Sequence, residues 1–345
     1  MRDDHQMELT FTGTTTSVVA IEEVSQVGQA RRQAVLVADQ AGFDETDSAR
    51  VALVATELAT NVIKHGRGGR MLVSLVLGRH GLGVELCTVD SGPGFSLVDG
   101  LRDGYSTAGT QGQGLGAVQR QASVLDAWSD AHGAVVMARL HAGRPAAGSD
   151  LAYGALRLPM RDEPACGDAW QLRLQDGKAA LALIDGLGHG LPAADAAAAG
   201  TSAAMAAVVF DTPTILGAIH AGMSGTRGGA VAVACVDTQA LTVQFSGIGN
   251  IAASLCEPTL SRGMASHPGI VGLQFRKAPP FKFDASPGTL LVLHSDGLQA
   301  RWNMREYPGL VNHHPAVIAA VLERDFNRGR DDVGIIVARI GDLTA

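Results

Sequence analysis

The second half of the chain repeatedly runs an apolar segment into an aspartate. Residues 178–184 lead into Asp185, residues 289–294 lead towards Asp296, and Asp331 stands just before another apolar run. Short apolar runs bounded by glycine and acidic residues are typical of buried strands that end in turns. Strands are predicted at 151–158, 168–174, 178–184, 230–236, 240–246, 289–294 and 334–340, and helices at 191–209, 212–224 and 314–326. This order predicts two packed β-sheets flanked by helices.

A stretch rich in glycine, alanine and proline, residues 141–150, divides the 345-residue chain. Such composition between two strand-like runs is typical of a linker. Both resulting parts fall within the normal range of domain sizes. We therefore expect a first domain at 1–142, a linker at 143–149 and a second domain at 150–345.

The sequence pattern of the first part predicts two helices followed by a sheet. Apolar positions spaced three and four apart predict helices at 25–42 and 47–64, the second beginning at a cap-like Thr46-Asp47-Ser48. Further elements are expected in the order strand 71–78, strand 82–89, helix 114–124 and strand 134–140. This order predicts an α/β sandwich with helices on one face of a mixed sheet, so the two domains together belong to the α+β class.

Amino-acid composition and net charge limit the kinds of molecule that the protein is expected to bind. Hydrophobic residues make up 46% of the chain and charged residues 18%, which excludes a disordered chain. A net charge of −7 disfavours nucleic-acid binding, which usually needs a basic surplus. The alanine-rich run 191–210 contains Asp195 and is too weakly apolar to enter a membrane. We therefore expect a cytoplasmic protein that binds proteins or nucleotides and contacts neither nucleic acid nor membrane.

Four aspartates at predicted strand ends stand beside glycine or another acid. They are Asp168, Asp185, Asp296 and Asp331. Mg²⁺ and Mn²⁺ require oxygen ligands, and two such ions can share a water that attacks phosphorus. An Asp-Gly pair taken alone is at least as typical of a simple turn.

Six motifs in a fixed order carry a resemblance that decides between these interpretations. They are GDAW, IDGLGHG, RGGAVAVACVD, FSGIGN, HSDGL and RDDVGIIV. Residues 150–341 thereby resemble the protein phosphatase 2C superfamily, in its branch of sporulation stage II protein E and RsbX. The resemblance implies a four-layer α-β-β-α sandwich. It also implies a metal-dependent protein serine/threonine phosphatase that uses two Mn²⁺ or Mg²⁺ ions.

The resemblance also implies roles for residues on the first sheet. Asp185 would bridge both ions, and Gly186 would bind one of them through its carbonyl oxygen. Asp168 would act at or near the outer ion, directly or through a water. Position 167 is glycine where many relatives have an additional acid, which puts the coordination of the outer ion in question.

The remaining implied residues lie in three other loops. Asp296 and Asp331 would complete the shell of one ion, with Asp332 as the alternative to Asp331. Gly334 stands where relatives commonly have serine or threonine. His189, in the GHG of the bacterial branch, would either protonate the leaving oxygen or bind phosphate.

The first part contains three segments that suit a nucleotide. Glu57 and Asn61 are four residues apart and so share one face of a helix, which a solvated stripe would also explain. Strand 82–89 runs into Asp90, whose carboxylate could accept a hydrogen bond from an adenine amino group. The glycine-rich run 109–116 opens a helix, where backbone N–H groups suit phosphate oxygens.

Together these segments resemble the GHKL ATPase superfamily over about residues 10–140, particularly the RsbT/RsbW type of anti-sigma serine kinase. A Bergerat-type α/β sandwich that binds ATP with Mg²⁺ follows from the resemblance. Asn61 would bind Mg²⁺, Asp90 would bind adenine, and Glu57 would be the general base. Glycines would line the base and phosphate sites, namely Gly92, Gly94, Gly112, Gly114 and Gly116.

The two halves together favour a bifunctional partner-switching regulator. The phosphatase half would act on a phosphorylated STAS-domain protein, either an anti-anti-sigma factor or a stressosome-like protein. The ATP-binding half would phosphorylate or sequester such a protein. The alternative is a non-catalytic anti-sigma protein with a degenerate phosphatase-like sensor. A sigma factor and a second copy of the chain are further candidate partners.

Overall fold

The computed structural model describes residues 8–95, 114–143, 150–161, 163–207, 209–274 and 278–343. Two compact units are present. One comprises Thr16–Leu151, and the other joins Met1–Thr15 to Ala152–Ala345. The two-domain α+β class expected from the sequence is confirmed.

The Thr16–Leu151 unit is a five-stranded sheet with helices. Its strands are β2 (Ser17–Ile21), β3 (Gly69–Gly78), β4 (Gly81–Asp90), β5 (Val124–Asp130) and β6 (Gly133–His141), and its helices α1 (Val24–Gln40), α2 (Glu45–His65) and α3 (Gly114–Gln121). The sheet order is β2-β3-β4-β6-β5, and every neighbouring pair is antiparallel. The prediction of a mixed sheet is therefore wrong. Tight turns join β3 to β4 and β5 to β6, and such turns join only antiparallel strands.

Helix α2 positions much of the candidate nucleotide site. Its apolar face, including Val54 and Leu58, is buried in the core as its spacing predicts. The helix begins earlier than expected, because Asp44 is the N-cap and its carboxylate accepts the Asp47 N–H at 2.8 Å. Asp47 instead accepts the Gly143 N–H at 2.8 Å, which holds the end of β6 against the helix.

The second unit consists of two antiparallel sheets. The six-stranded sheet has the order β1-β8-β9-β10-β11-β14, and the five-stranded sheet β13-β12-β15-β16-β7. Their bounds are β1 (Leu9–Thr12), β7 (Tyr153–Leu158), β8 (Asp168–Gln175), β9 (Lys178–Gly186), β10 (Gly229–Asp237), β11 (Thr242–Ile248), β12 (Ala252–Cys256), β13 (Ser261–Met264), β14 (Phe281–Asp284), β15 (Leu290–His294) and β16 (Val333–Arg339).

Helices cover the outer face of each sheet. Helix α4 (Leu191–Ala206) buries alanines against the six-stranded sheet, and α5 (Thr212–Gly222) buries larger aliphatic side chains there, among them Ile215 and Leu216. Helix α6 (Pro315–Phe326) lies on the five-stranded sheet, so close to β7 that a Cβ at Gly154 would lie 2.2 Å from the Ala316 Cα. The implied four-layer α-β-β-α sandwich is thus present. Within the described residues, none of the helices combines the length and hydropathy that crossing a bilayer requires.

The second unit gains one strand from the start of the chain. Strand β1 pairs with β8 from Leu9↔Leu174 to Thr12↔Gln171, so Thr16–Leu151 is inserted between β1 and β7 of the phosphatase-like fold. The boundary at 1–142 differs from this arrangement, because the alternation of Leu9 and Phe11 with threonines can indicate a strand but does not tell which distant strand it pairs with.

Replacing Phe11 with alanine is expected to destabilise the second unit. Phe11 is 8% exposed, and its ring meets the Trp170 ring edge-on at 5.5 Å between centroids. Loss of this contact should cost about 2–4 kcal/mol in the free energy of unfolding, measured by denaturant titration. Phe281→Ala, at an exposed position, is the control and should cost much less. A cost below about 0.5 kcal/mol for Phe11→Ala would show that β1 contributes little packing to the unit.

Candidate two-metal centre and nucleotide site

Asp168 and Asp185 meet across neighbouring strands of the six-stranded sheet. They are directly paired in the β8–β9 ladder, at the end where β9 passes into the loop at 187–190. The Gly186 N–H donates to the Gly167 carbonyl at 3.0 Å, which fixes the loop to β8. A Cβ at Gly186 would lie 2.2 Å from the Ala193 carbonyl oxygen, so only glycine fits there.

Asp296 and Asp331 come from adjacent strands of the other sheet. Asp296 follows β15, and Asp331 precedes β16, its antiparallel neighbour. Asn250 donates its side-chain N–H to Asp296 Oδ2 at 2.7 Å, which gives the FSGIGN motif a physical role. The two sheets therefore bring all four predicted carboxylates to one end of the sandwich.

The electrostatics of these carboxylates show concentrated negative charge. Burial, followed by repulsion from Asp296 and Asp331, raises the pKa of Asp185 to about 7. Burial and the Asp185 charge raise the pKa of Asp168 well above its usual range. Burial and Asp331 also raise the pKa of Asp296. Such a set of oxygen donors fits divalent cations, because bound positive charge removes the cost of ionising the carboxylates together.

Asp331 and Asp332 have different surroundings. Both oxygens of Asp332 accept backbone N–H groups, from Met160 at 2.6 Å and from Gly167 at 2.7 Å. The Asp332 carboxylate therefore holds the loop between β7 and β8. A side chain at Gly167 would press against it, since a Cβ there would lie 2.9 Å from Asp332 Oδ2. This explains physically why position 167 carries no additional acid.

Ser295 stabilises the fully buried Asp168. The Ser295 hydroxyl donates to Asp168 Oδ2 at 2.6 Å and accepts the Gly334 N–H at 2.9 Å. A Cβ at Gly334 would lie 3.0 Å from Asp168 Oδ2 and 2.9 Å from Leu183 Cδ1. The sheets are thus too close for serine or threonine at position 334, and Ser295 supplies a hydroxyl from the neighbouring strand instead.

His189 lies in the loop after Asp185 and is 60% exposed at its side chain. Its Nδ1 is 2.6 Å from Glu163 Oε1. A carboxylate only accepts, so Nδ1 carries the hydrogen and Nε2 is the atom left to exchange a proton with a substrate. Glu163 is a residue that sequence reasoning missed.

In the other unit, Glu57 and Asn61 lie together at the start of α3. An added Cβ on Gly114 would lie 3.2 Å from Glu57 Oε2 and 3.4 Å from Asn61 Oδ1. Both side chains are half-buried on one face of α2, as their spacing of four predicts. The helix N-terminus of α3 therefore approaches two oxygen-bearing side chains.

Asp90 ends β4 in a glycine-lined corner. Its Oδ1 accepts the N–H groups of Gly92 at 2.9 Å and Ala134 at 3.2 Å. A Cβ at Gly66 would lie 2.6 Å from the Asp90 Cβ, and one at Gly92 would lie 2.6 Å from the His65 carbonyl oxygen. These close approaches require glycine and hold the carboxylate in one orientation.

Three further glycines were predicted to line the nucleotide site, and the structure describes two of them. Gly94 has φ +75°, a conformation that favours glycine. Gly116 is buried within α3. Gly112 lies outside the described residues.

Comparison with known proteins finds a family match in each half of the chain. The family "Histidine kinase-like ATPase domain" matches residues 21–140. The family "Stage II sporulation protein E (SpoIIE)" matches residues 175–341.

Individual proteins are similar to parts of the chain. The serine/threonine-protein kinase RsbT of Bacillus subtilis (strain 168) is 32% identical over 105 residues, which cover 30% of this chain and 79% of RsbT. A structure described as "The bacterial stressosome: a modular system that has been adapted to control secondary messenger signaling" is 28% identical. It covers 55% of this chain and 100% of its own, with a TM-score of 0.52. RsbX in complex with magnesium is 20% identical, covering 54% of this chain and 93% of its own, with a TM-score of 0.49.

The two sites lie in separate units, and each unit contains the region matched by one of the two families. Such a pairing of a kinase-like and a phosphatase domain fits a partner-switching regulator. Through its first half the chain therefore belongs to the RsbT-type family of histidine kinase-like ATPases, and its second half is similar to the family "Stage II sporulation protein E (SpoIIE)".

Proposed function

We propose that the second unit is a protein serine/threonine phosphatase that uses two Mn²⁺ or Mg²⁺ ions. The observation that carries this proposal is the gathering of four strand-end carboxylates, with the pKa of Asp185 raised to about 7 by burial and neighbouring charge. A cluster with this much uncompensated charge is costly to a metal-free fold, so it indicates a site built for cations. The test is Mn²⁺-dependent release of phosphate from a phosphoserine protein.

Several residues of this chain would act as ligands of the two ions. Asp185 would contact both, and the Gly186 carbonyl would contact one, since no side chain obstructs it. Asp331 is the better candidate than Asp332, whose oxygens already accept two backbone N–H groups. When bound, the ions would polarise the phosphoryl group and lower the pKa of a bound water.

Asp168 would interact with the outer ion through a water and not as a direct ligand. Its side chain is fully buried and bonded to Ser295, which favours contact through a water over direct contact. Asn250 would orient Asp296 in the same way at the other sheet. Such secondary hydrogen bonds typically matter for metal affinity.

His189 would donate a proton to the leaving seryl or threonyl oxygen. A serine alkoxide is a poor leaving group, so its departure requires a proton in the transition state. Glu163 would hold the imidazole through Nδ1, which leaves Nε2 towards the substrate. Phosphate binding by His189 is the alternative role.

Glu163→Gln should distinguish these two roles. We expect phosphoserine-peptide turnover to fall about 10–100-fold, while turnover of p-nitrophenyl phosphate falls less than about threefold, because its phenolate leaves without a proton. The measurement is kcat on both substrates in parallel, with the exposed Glu306→Gln as control. An equal loss on both substrates would indicate phosphate binding or a structural role.

The first unit would bind ATP with Mg²⁺ and transfer its γ-phosphate to a serine of a partner. Asn61 would bind the Mg²⁺ ion, and Glu57 would accept the proton of the attacking hydroxyl. Asp90 would accept a hydrogen bond from the adenine amino group through Oδ2, since Oδ1 accepts two backbone N–H groups. Transfer of label from ATP to a purified partner tests this activity.

The proposed substrate of both units is a STAS-domain protein. RsbT is named a serine/threonine-protein kinase, and the description of one structural relative names the bacterial stressosome. Opposed activities on one chain would then set the phosphorylation state of one regulator. We further propose that the protein can bind a sigma factor, that it forms a homodimer and that it is located in the cytoplasm.

A further inference from the structure

A polar cleft lies beside the loops that carry Asp296 and Asp331. Its volume is about 420 Å³, and it is lined by Gln299, Asn327, Arg328 and Arg330. This volume is more than ten times the roughly 30 Å³ that one water takes in the liquid, so it accommodates a side chain as well as its solvent. We call this set of four residues the arginine cleft.

Backbone hydrogen bonds hold the walls of the arginine cleft in place. The Gln299 N–H donates to the Phe326 carbonyl at 2.9 Å, and the Arg328 N–H donates to the Gly297 carbonyl at 2.9 Å. The Gly329 N–H donates to Asn327 Oδ1 at 2.7 Å, which forms the turn between the two arginines. The cleft is therefore a preformed feature of the loops that carry two of the four clustered carboxylates.

The charge of the arginine cleft is opposite to that of its surroundings. The chain has a net charge of −7, yet two exposed arginines and Gln299 line this cleft, together with Asn327, whose side-chain N–H donates to Glu323 Oε1 at 2.9 Å. Arg328 is bonded through its backbone N–H to the carbonyl of Gly297, the residue that follows Asp296. Guanidinium groups bind carboxylates in a planar, two-point geometry. The cleft thus presents anion recognition next to the place where phosphate would be cleaved.

We propose that the arginine cleft binds an aspartate or glutamate side chain of the protein substrate, close to its phosphorylated serine or threonine. This inference rests on the proposed phosphatase function, because the metal centre fixes where the phosphorylated residue lies. A flanking carboxylate would then reach the guanidinium groups while the phosphate reaches the ions. The cleft would select among phosphoproteins by the acidity of the sequence around the phosphate.

The test compares three phosphoserine peptides on the full-length protein with Mn²⁺. The peptides differ only in flanking residues, which are aspartate, asparagine or lysine, and p-nitrophenyl phosphate is assayed in parallel. We expect kcat/KM for the aspartate peptide to exceed that for the asparagine peptide by about tenfold at low salt, and less at high salt. Arg328→Glu should reverse the preference in favour of the lysine peptide.

A control variant and p-nitrophenyl phosphate distinguish failure of the cleft proposal from failure of the phosphatase proposal. Arg301→Gln removes an exposed arginine outside the cleft and should keep the preference for the aspartate peptide. Equal kcat/KM for all three peptides, with p-nitrophenyl phosphate still hydrolysed, would overturn the arginine cleft and leave the phosphatase proposal standing. Failure of the wild-type protein to hydrolyse p-nitrophenyl phosphate with Mn²⁺ or Mg²⁺ would overturn both.

Discussion

Asp185→Asn is expected to lower Mn²⁺-dependent phosphate release by about 10³-fold or more, which corresponds to about 4 kcal/mol of lost transition-state stabilisation. Asp185 lies in the carboxylate cluster, and its pKa is raised by burial and then by the charges of Asp296 and Asp331. An amide keeps the shape of the side chain but cannot supply a charged ligand shared by two cations. The measurement is initial rate on a phosphoserine peptide across a Mn²⁺ titration.

The same substitution should stabilise the metal-free fold above neutral pH. A folded pKa of about 7 exceeds the unfolded value near 3.8, so the folded state binds the proton more tightly. In the wild-type protein without metal, stability therefore falls as pH rises from about 4 to about 7, and the penalty remains at higher pH. With EDTA at pH 8, Asp185→Asn should melt at a higher temperature than the wild type, and at pH 4 the two should differ little.

A matched control separates loss of a ligand from general damage. Asp284→Asn changes an exposed aspartate at the end of β14 and should alter neither activity nor melting temperature. If Asp185→Asn kept more than about a tenth of wild-type activity, the central ligand would have been misassigned. A lower melting temperature for Asp185→Asn in EDTA at pH 8 would contradict the electrostatic account of the cluster.

Asn61→Ala is expected to abolish most of the stabilisation that Mg²⁺-ATP gives the wild-type protein. A ligand that binds only the folded state adds about 2.7 kcal/mol at a concentration of 100 times Kd. Loss of a metal ligand should raise Kd about 100-fold and so remove nearly all of this increment at the same ATP concentration. The measurement is the ATP-dependent shift in melting temperature with and without Mg²⁺.

Its control is another asparagine-to-alanine change. Asn312 is exposed and lies in the other unit, so Asn312→Ala should keep the full shift. The variant without ATP should melt close to the wild type, because Asn61 is only half-buried. An equal ATP shift in Asn61→Ala and wild type would exclude this side chain from the nucleotide site.

The sequence was most informative where periodicity and strand ends coincide. Helix α2 and strands β9 and β15 follow directly from their apolar patterns, and Asp185 and Asp296 could be placed at their ends. Antiparallel pairing then brings Asp168 opposite Asp185. These predictions needed only local pattern and the preference of hard cations for oxygen.

Contacts between distant segments could not be predicted in the same way. The hydrogen bond of Glu163 to His189 joins residues 26 apart, and the two bonds to Asp332 join it to residues 172 and 165 positions away. No spacing rule covers such pairs, because they depend on how the sheets pack. The close approach at Gly334 likewise follows from the distance between sheets, which sequence does not give.

The most direct test of the account follows one STAS-domain partner while both activities operate. The partner is incubated with ATP, Mg²⁺ and Mn²⁺, and its phosphoserine content is measured for wild-type protein, Asp185→Asn and Asn61→Ala. We predict that Asp185→Asn drives phosphorylation to near completion, that Asn61→Ala removes phosphate from a prephosphorylated partner, and that the wild type gives an intermediate level. Unchanged phosphoserine in all three reactions would contradict the account and favour a protein that only sequesters its partner.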